Sequence, residues 1–299
     1  MRGPRERRRD HARKGLPVRH GAVLFTSDRG ITPAEAARAA EDAGFDSFYV
    51  PEHTHIPVRR TAAHPGTGGA QLPDDRYLRT LDPWVGLSAA AAVTSRIRLG
   101  TAVALPVESD PIGLAKTIAS LDHLSGGRVV LGAGFGWNTD ELADHGVPAH
   151  RRRSALREHV EAMRALWTQQ EASYAGEFVH FGPSWAWPKP VQPHVPLLIG
   201  AGAGPRTFAW IAAHADGWMT TPAETDVAAH ADELREAWRA AGRAGEPQIH
   251  VLGTAKPTPD VLQRWERAGV AEAIWGMPDK SADEVAASLH RQARRLGIG

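Results

Sequence analysis

Eight short apolar runs, each followed by a segment of helical periodicity, constrain this 299-residue chain more than any other feature. The runs are GAVLF (21–25), SFYV (47–50), IRLGTAVAL (97–105), VVLGAG (129–134), PLLIGAG (196–202), DGWMTT (216–221), IHVLGTA (249–255) and AEAIWG (271–276). Their apolar residues are continuous and not alternating, the pattern of parallel strands covered on both faces. Thr32-Pro33 opens a helix over 33–43, and Gly44 closes it. Asp82-Pro83 and Asp110-Pro111 open helices to about 94 and about 124, and Gly126-Gly127 stops the second. Leu156, Val160, Met163 and Trp167 recur at helical spacing within 151–167. Segments 205–214, 226–243, 259–268 and 283–297 complete the set. Eight β/α units in series predict an α/β fold closed as a (β/α)8 TIM barrel. A doubly wound sheet is the runner-up, but no G-x-G-x-x-G follows the first strand.

Two stretches interrupt the period. Residues 54–80, after strand 2, are rich in Pro, Gly and His, and residues 170–195 precede strand 5 with short strands and turns. Long insertions in such a barrel tend to be lids or pocket walls over its active face. Residues 20–299 then form one catalytic domain. Residues 1–20 carry a net charge of +6 and the remainder −5. A basic arm of this kind can bind nucleic acid. A disordered tail over 1–19, or a start codon placed too early, is the plainer expectation, and no nucleic-acid partner is expected. The chain has no cysteine, which excludes disulfides, iron–sulfur clusters and thiolate zinc sites. No apolar stretch approaches a membrane span, and no apolar segment follows the basic run as in a signal peptide. A cytoplasmic protein with a small-molecule substrate and no membrane partner is the expectation.

Catalytic groups in a barrel of this type come from the C-terminal ends of the strands. Strand 2 ends in Pro51-Glu52-His53. Histidine is suited to moving a proton near neutral pH, with Glu52 to orient it or bind a ligand, or else His53 caps a loop. The tip of strand 3, Ala102 and Val103 included, is apolar: a shelf for a flat ring, or plain core. Gly132, Gly134 and Gly136 at the end of strand 4 allow a ligand close to the backbone or serve a tight turn. Gly202-Ala203-Gly204 leads into a helix N-terminus with small residues and accessible amides, which favours a phosphate over an ordinary loop. His53 and His55 stand two residues apart, but no third ligand is evident, so no metal is expected.

Together these tips resemble the luciferase-like monooxygenase superfamily, and within it the branch dependent on the deazaflavin coenzyme F420. The resemblance rests on GFDSFYVPEHTHIP, LDPWVGLSAAAAVTSRIRLGTAV, DPIGLAKTIASLDHLSGGRVVLGAGFGWNTDEL, PKPVQPHVPLLIGAGAGPRTF and AHADGW, in that order. It implies a TIM barrel that binds F420, or alternatively FMN, at the strand C-terminal ends. It places His53 as proton donor or acceptor, with Glu52 near the ring. Ala102 and Val103 match a bulge, often with a non-proline cis peptide, behind the ring. Gly134, Gly136 and Trp137 line the cofactor, and Gly202, Ala203, Gly204 and Thr207 match the phosphate turn. His55, Trp137, Trp185 and Glu224 are expected around the substrate. The chain departs from the sugar-phosphate dehydrogenases of this group, which carry a catalytic glutamate where Trp137 stands, a lysine at Glu224 and a tryptophan at Pro57. The resemblance therefore implies an F420-dependent hydride transfer involving a small, neutral or apolar organic substrate. The alternative is an FMN-dependent monooxygenase using O2. Family members are often dimers, which makes a homodimer a further implication.

Overall fold

The computed structural model describes residues 17–221, 226–253 and 258–298. Its centre is a closed barrel of eight parallel strands: β1 (Arg19–Val23), β2 (Ser47–Val50), β3 (Arg98–Thr101), β4 (Val129–Gly134), β7 (Leu197–Gly200), β8 (Gly217–Met219), β9 (Gln248–Gly253) and β10 (Glu272–Gly276). Neighbours follow the order β1-β10-β9-β8-β7-β4-β3-β2, and pairing of Gly21 with both Ile274 and Ser47 closes the ring. The eight strands are those expected from the apolar runs, most of them ending sooner, with β1 and β9 beginning two and one residues earlier than the runs. The segment read as tail reaches one residue too far. Arg19 opens β1, donating its amide to the Ala271 carbonyl at 3.1 Å. Residues 1–16 lie outside the described residues.

Alternation along the strands divides the barrel into two apolar layers. Phe48 and Val50 of β2 face the helices with Leu99, Leu131, Ile199 and Trp218. Tyr49 faces inward with Val130, Leu198, Met219 and Ile274. Each large apolar side chain so buried contributes about 1.5–3 kcal/mol. Below that inner layer the barrel floor is polar. Ser47 donates to the buried carboxylate of Glu272, and His250 lies 3.4 Å from the Tyr49 hydroxyl and 3.9 Å from Glu272. Burial holds the His250 imidazole down at about 4, against the raising effect of Glu272.

The helices form the outer ring: α1 (Pro33–Asp42), α2 (Pro83–Val93), α3 (Pro111–Ser125), α4 (Thr139–Asp144), α5 (Arg152–Thr168), α6 (Pro205–His214), α7 (Val227–Ala240), α8 (Pro259–Arg267) and α9 (Ala282–Leu296). Thr32 and Glu35 form a reciprocal cap on α1, and Asp110 accepts from the Gly113 amide on α3 at 2.6 Å. The short helix α4 was not expected from the sequence. No helix among the described residues is long and apolar enough to cross a membrane.

The two insertions behave differently. Residues 54–80 cross the barrel mouth and are tied down at several points. Asp140 accepts from the amides of Thr61 and Ala62, both at 2.9 Å, and Arg79 holds Asp28 with two contacts of 2.8 Å. Residues 170–195 are not a lid. They form a hairpin, β5 (Ala172–Ala175) and β6 (His180–Ser184), laid along the outside of α5. Tyr174 donates to Glu161 at 2.5 Å, and the Phe178 amide donates to Glu158 at 2.6 Å. The hairpin leaves from the lower end of α5 and returns there. Lys189 caps the Leu166 and Gln169 carbonyls, and Gln192 reaches Asp122 at the end of α3. Trp185, 77% exposed, therefore sits on the outer wall near the barrel's N-terminal end and not over the mouth.

Candidate active site

Strand β2 stops at Val50 because Pro51 has no amide hydrogen to continue the ladder. The next two residues turn into the mouth. Glu52 is buried, and its carboxylate accepts the Leu105 amide at 2.6 Å. Burial raises its pKa to about 7, helped by the charges of Asp82 and Glu141 and opposed by that amide. His53 presents Nδ1 to Oε2 of Glu141 at 2.9 Å. Glu141 is fully buried on α4, and it also accepts from the Thr54 amide at 3.0 Å and from Asn138 at 3.2 Å. Burial opposes its charge, but the hydrogen bond and charge of His53 and the backbone amides of Thr54 and His55 outweigh it and hold its pKa low. A carboxylate on Nδ1 fixes the ring and leaves Nε2 as its working edge.

The other sides of His53 are aromatic. Its ring lies 5.5 Å from that of Tyr77 and 5.7 Å, edge-on, from Trp137. His64 closes the group, 4.9 Å from Trp137 and hydrogen-bonded to the Tyr77 hydroxyl at 2.9 Å. Burial, and then the charges of His53 and Arg60, push the His64 pKa down. His55 points the other way. It pairs with Asp144 of α4 at 3.0 Å and is half-exposed, so the structure does not bring it to this wall. Glu224 lies outside the described residues.

The strand 3 tip carries the cis peptide, between Ala102 and Val103. The Val103 carbonyl accepts the Glu52 amide at 3.1 Å, which ties the two tips together. A Cβ on Gly134 would stand 2.7 Å from a methyl of Val103, so the missing side chain makes room for that valine. At Gly136 the backbone has φ of 75°, which requires glycine and turns Trp137 toward His53.

Across the mouth, β7 runs through Gly202 and Ala203 into α6. Gly204 caps that helix at φ 148°, and a Cβ there would meet nothing within 4 Å. Among the described residues nothing fills the space before the first amides of α6, as an anion requires. Thr207 is buried below it. Its hydroxyl accepts from Arg153 at 3.2 Å and is taken up in that contact. The Arg153 guanidinium stacks 4.1 Å above Phe135. Arg152, Arg153, Arg206 and His150 line a pocket of about 390 Å³ beside the turn. Among the described residues no carboxylate pairs with any of the three arginines. Burial, and then the charges of Arg206 and Arg152, hold the Arg153 pKa below its ordinary value. Three cations crowded without a counter-ion among the described residues, beside an open helix N-terminus, fit a phosphate-bearing cofactor.

A family model described as luciferase-like monooxygenase matches residues 30–297. The chain belongs to the luciferase-like monooxygenase family. It is 67% identical over 279 residues to the uncharacterized Mycobacterium tuberculosis protein Rv0953c, covering 93% of this chain and 99% of that one. It is 32% identical over 209 residues to an F420-dependent glucose-6-phosphate dehydrogenase of Nakamurella multipartita, covering 69% of this chain and 56% of the relative. Among solved structures, monooxygenase RslO1 of Streptomyces bottropensis superposes with a TM-score of 0.73 at 24% identity, covering 93% of this chain and 98% of that one.

Within this family member, the residues that sequence reasoning missed surround the ones it named. Glu141 was missed with its helix, although Asn138 followed by Asp140 and Glu141 is a helix-start signature. His64 and Tyr77 come from the insertion, where no periodicity marks which side chains turn inward. Arg152 and Arg153 stand in an arginine triplet that reads equally as solvated surface.

Proposed function

We propose that this protein is an F420-dependent oxidoreductase that transfers a hydride between the deazaflavin and a small, neutral or apolar organic substrate. The observation that carries the reading is the arginine pocket beside the Gly204 turn. Three guanidiniums with no carboxylate partner among the described residues suit the extended anionic tail of F420, a phosphodiester followed by carboxylates, better than the single terminal phosphate of FMN.

F420, when bound, supplies the hydride acceptor or donor; the protein supplies position, exclusion of water and the proton. The amides at the start of α6 and Arg152, Arg153 and Arg206 would hold the anionic tail. Val103, seated between Gly134 and Gly200, forms the shelf for the ring. Trp137, Tyr77 and His64 wall the opposite side and offer a substrate apolar surface with few charges. His53, held through Nδ1 by Glu141, moves a proton at Nε2. Tryptophan at 137 removes the carboxylate that a sugar-phosphate dehydrogenase of this family uses, which argues against that substrate class despite the Nakamurella relative.

An FMN-dependent monooxygenase is the second reading, favoured by the likeness to RslO1. Titration of the purified protein with F420 and with FMN, followed by fluorescence quenching, separates the two. Saturable F420 binding is expected. Tight binding of FMN with none of F420 would reverse the assignment.

A further inference from the structure

Tyr77 stands on a single 3-10 turn, Asp75–Leu78, within the excursion over 54–80. Asp74 caps that turn by accepting the Arg76 amide at 2.9 Å, and the tyrosine ring packs 4.6 Å from Phe25 beyond the end of β1. Its hydroxyl lies 2.9 Å from Nε2 of His64. Which of these two atoms supplies the hydrogen is decided on the far side of the imidazole. The Gly66 amide donates to Nδ1 of His64 at 3.0 Å, so Nδ1 holds a lone pair and no hydrogen. A Cβ on residue 66 would stand 3.1 Å from Cε1 of the ring, so the glycine lets the backbone come this close. The loop around it is fixed: His64 donates its amide to the Gly69 carbonyl, and its carbonyl accepts the Gly68 amide, both at 2.8 Å. The neutral ring therefore carries its hydrogen on Nε2 and donates it to the Tyr77 oxygen. That leaves the phenol hydrogen over. Burial, and then the charge of Asp74, raise the phenol pKa, so the hydrogen stays on. Among the described residues no second acceptor lies within reach of the hydroxyl.

His53 offers the opposite polarity on the neighbouring ring, 5.5 Å away. Its Nδ1 donates to the ionised Glu141, so Nε2 of the neutral ring is an acceptor. Trp137 touches both histidines and closes the circuit of four rings. One donor and one acceptor thus stand side by side in a wall that is otherwise aromatic. We propose that Tyr77 donates its phenol hydrogen to the oxygen of a neutral carbonyl or alcohol substrate, with His64 and the Gly66 amide as the positioning pair that frees that hydrogen. The proposal rests on the reading of this cavity as the substrate site and narrows it: the guest has an apolar body and an oxygen acceptor. An alcohol also satisfies Nε2 of His53 with its own O–H. A hydrocarbon of the same shape leaves the phenol hydrogen without a partner, which costs it affinity.

The test uses the full chain without cofactor, so its outcome is independent of whether F420 or FMN binds. Nitrogen-15 NMR of the His64 ring is expected to show the hydrogen on Nε2, and a hydrogen on Nδ1 would overturn the assignment. Two probes of nearly the same shape are then titrated: cyclohexanone labelled with carbon-13 at the carbonyl, and methylenecyclohexane. On binding to the wild type, the carbonyl resonance is expected to move downfield, as it does when its oxygen accepts a hydrogen bond. Tyr77→Phe keeps the ring and is expected to abolish that movement. It should also lower the ratio of ketone to hydrocarbon affinity about tenfold. A ratio and a carbonyl resonance unchanged in Tyr77→Phe would overturn the proposal, as would a wild type that binds no ketone. If Tyr77→Phe does not fold, as judged by circular dichroism, His64→Phe serves: a lowered affinity ratio supports the oriented phenol and an unchanged one overturns it.

Discussion

A Cβ placed on Gly200 would stand 2.3 Å from Cγ1 of Val103, so the last residue of β7 is kept bare by a side chain from the tip of β3. Gly200→Ala should therefore displace Val103 without touching any ligand directly. Overpacking of this kind costs about 1–3 kcal/mol. Thermal unfolding should show a modest loss of stability, and F420 titration a larger loss of affinity. An alanine variant that binds F420 as the wild type does would show that the shelf has no part in binding.

Glu141→Gln keeps the size of the side chain but removes the charge that holds Nδ1 of His53. Turnover should fall about 100-fold or more, the usual contribution of a positioned acid–base group, with F420 affinity preserved. His53→Ala should lose as much. Full turnover in either variant, with F420 bound, would remove the proton role from this pair.

Arg206 lines the anion pocket and has no carboxylate partner among the described residues. Arg206→Ala should weaken F420 binding about tenfold, equivalent to one charge-assisted hydrogen bond. The salt dependence of binding should flatten in parallel. Affinity independent of both arginine and salt would place the anionic tail elsewhere.

Two buried groups give opposite pH dependences. Glu52 has a folded-state pKa of about 7, above the ordinary carboxyl value, so its favourable contribution is complete at low pH and is lost as pH rises toward 7. Glu52→Gln should stabilise the protein at pH 8 relative to pH 5, by roughly 3 kcal/mol at most. His250, at about 4, is held neutral in the barrel floor, so stability is lost as pH falls from the ordinary imidazole value toward 4, again by roughly 3 kcal/mol. His250→Gln should flatten that acid limb in urea unfolding measured from pH 4 to 8.

The barrel was legible because its signals are local. Continuous apolar runs, the Thr32-Pro33, Asp82-Pro83 and Asp110-Pro111 helix starts and the glycine stops each act within one or two turns of chain. The position of His53, Glu52 and the Gly204 turn at the barrel mouth was legible for a related reason, since strand ends in a barrel project to one face. Glu141, 88 residues from its histidine, was not, because partnership across that separation leaves no trace in local periodicity. Trp185 was misplaced for the converse reason. An aromatic residue near prolines suggests a pocket wall, but the hairpin before it folds back along α5 and carries it away. Gly134 shows a third limit: a missing side chain signals room without saying which neighbour takes it, here Val103.

The excursion over 54–80 has a consequence for how this scaffold can diversify. Its moorings, Asp140 to Thr61 and Ala62 at one end and Arg79 to Asp28 at the other, are separate from the residues it shows to the cavity, His64 and Tyr77. A descendant or an engineer can rewrite what lies between those anchors and leave untouched both the reacting histidine and the grip on the anion. Choice of guest and execution of chemistry are thereby inherited as separable traits, one on a replaceable bridge and the other on the ring of strands beneath it.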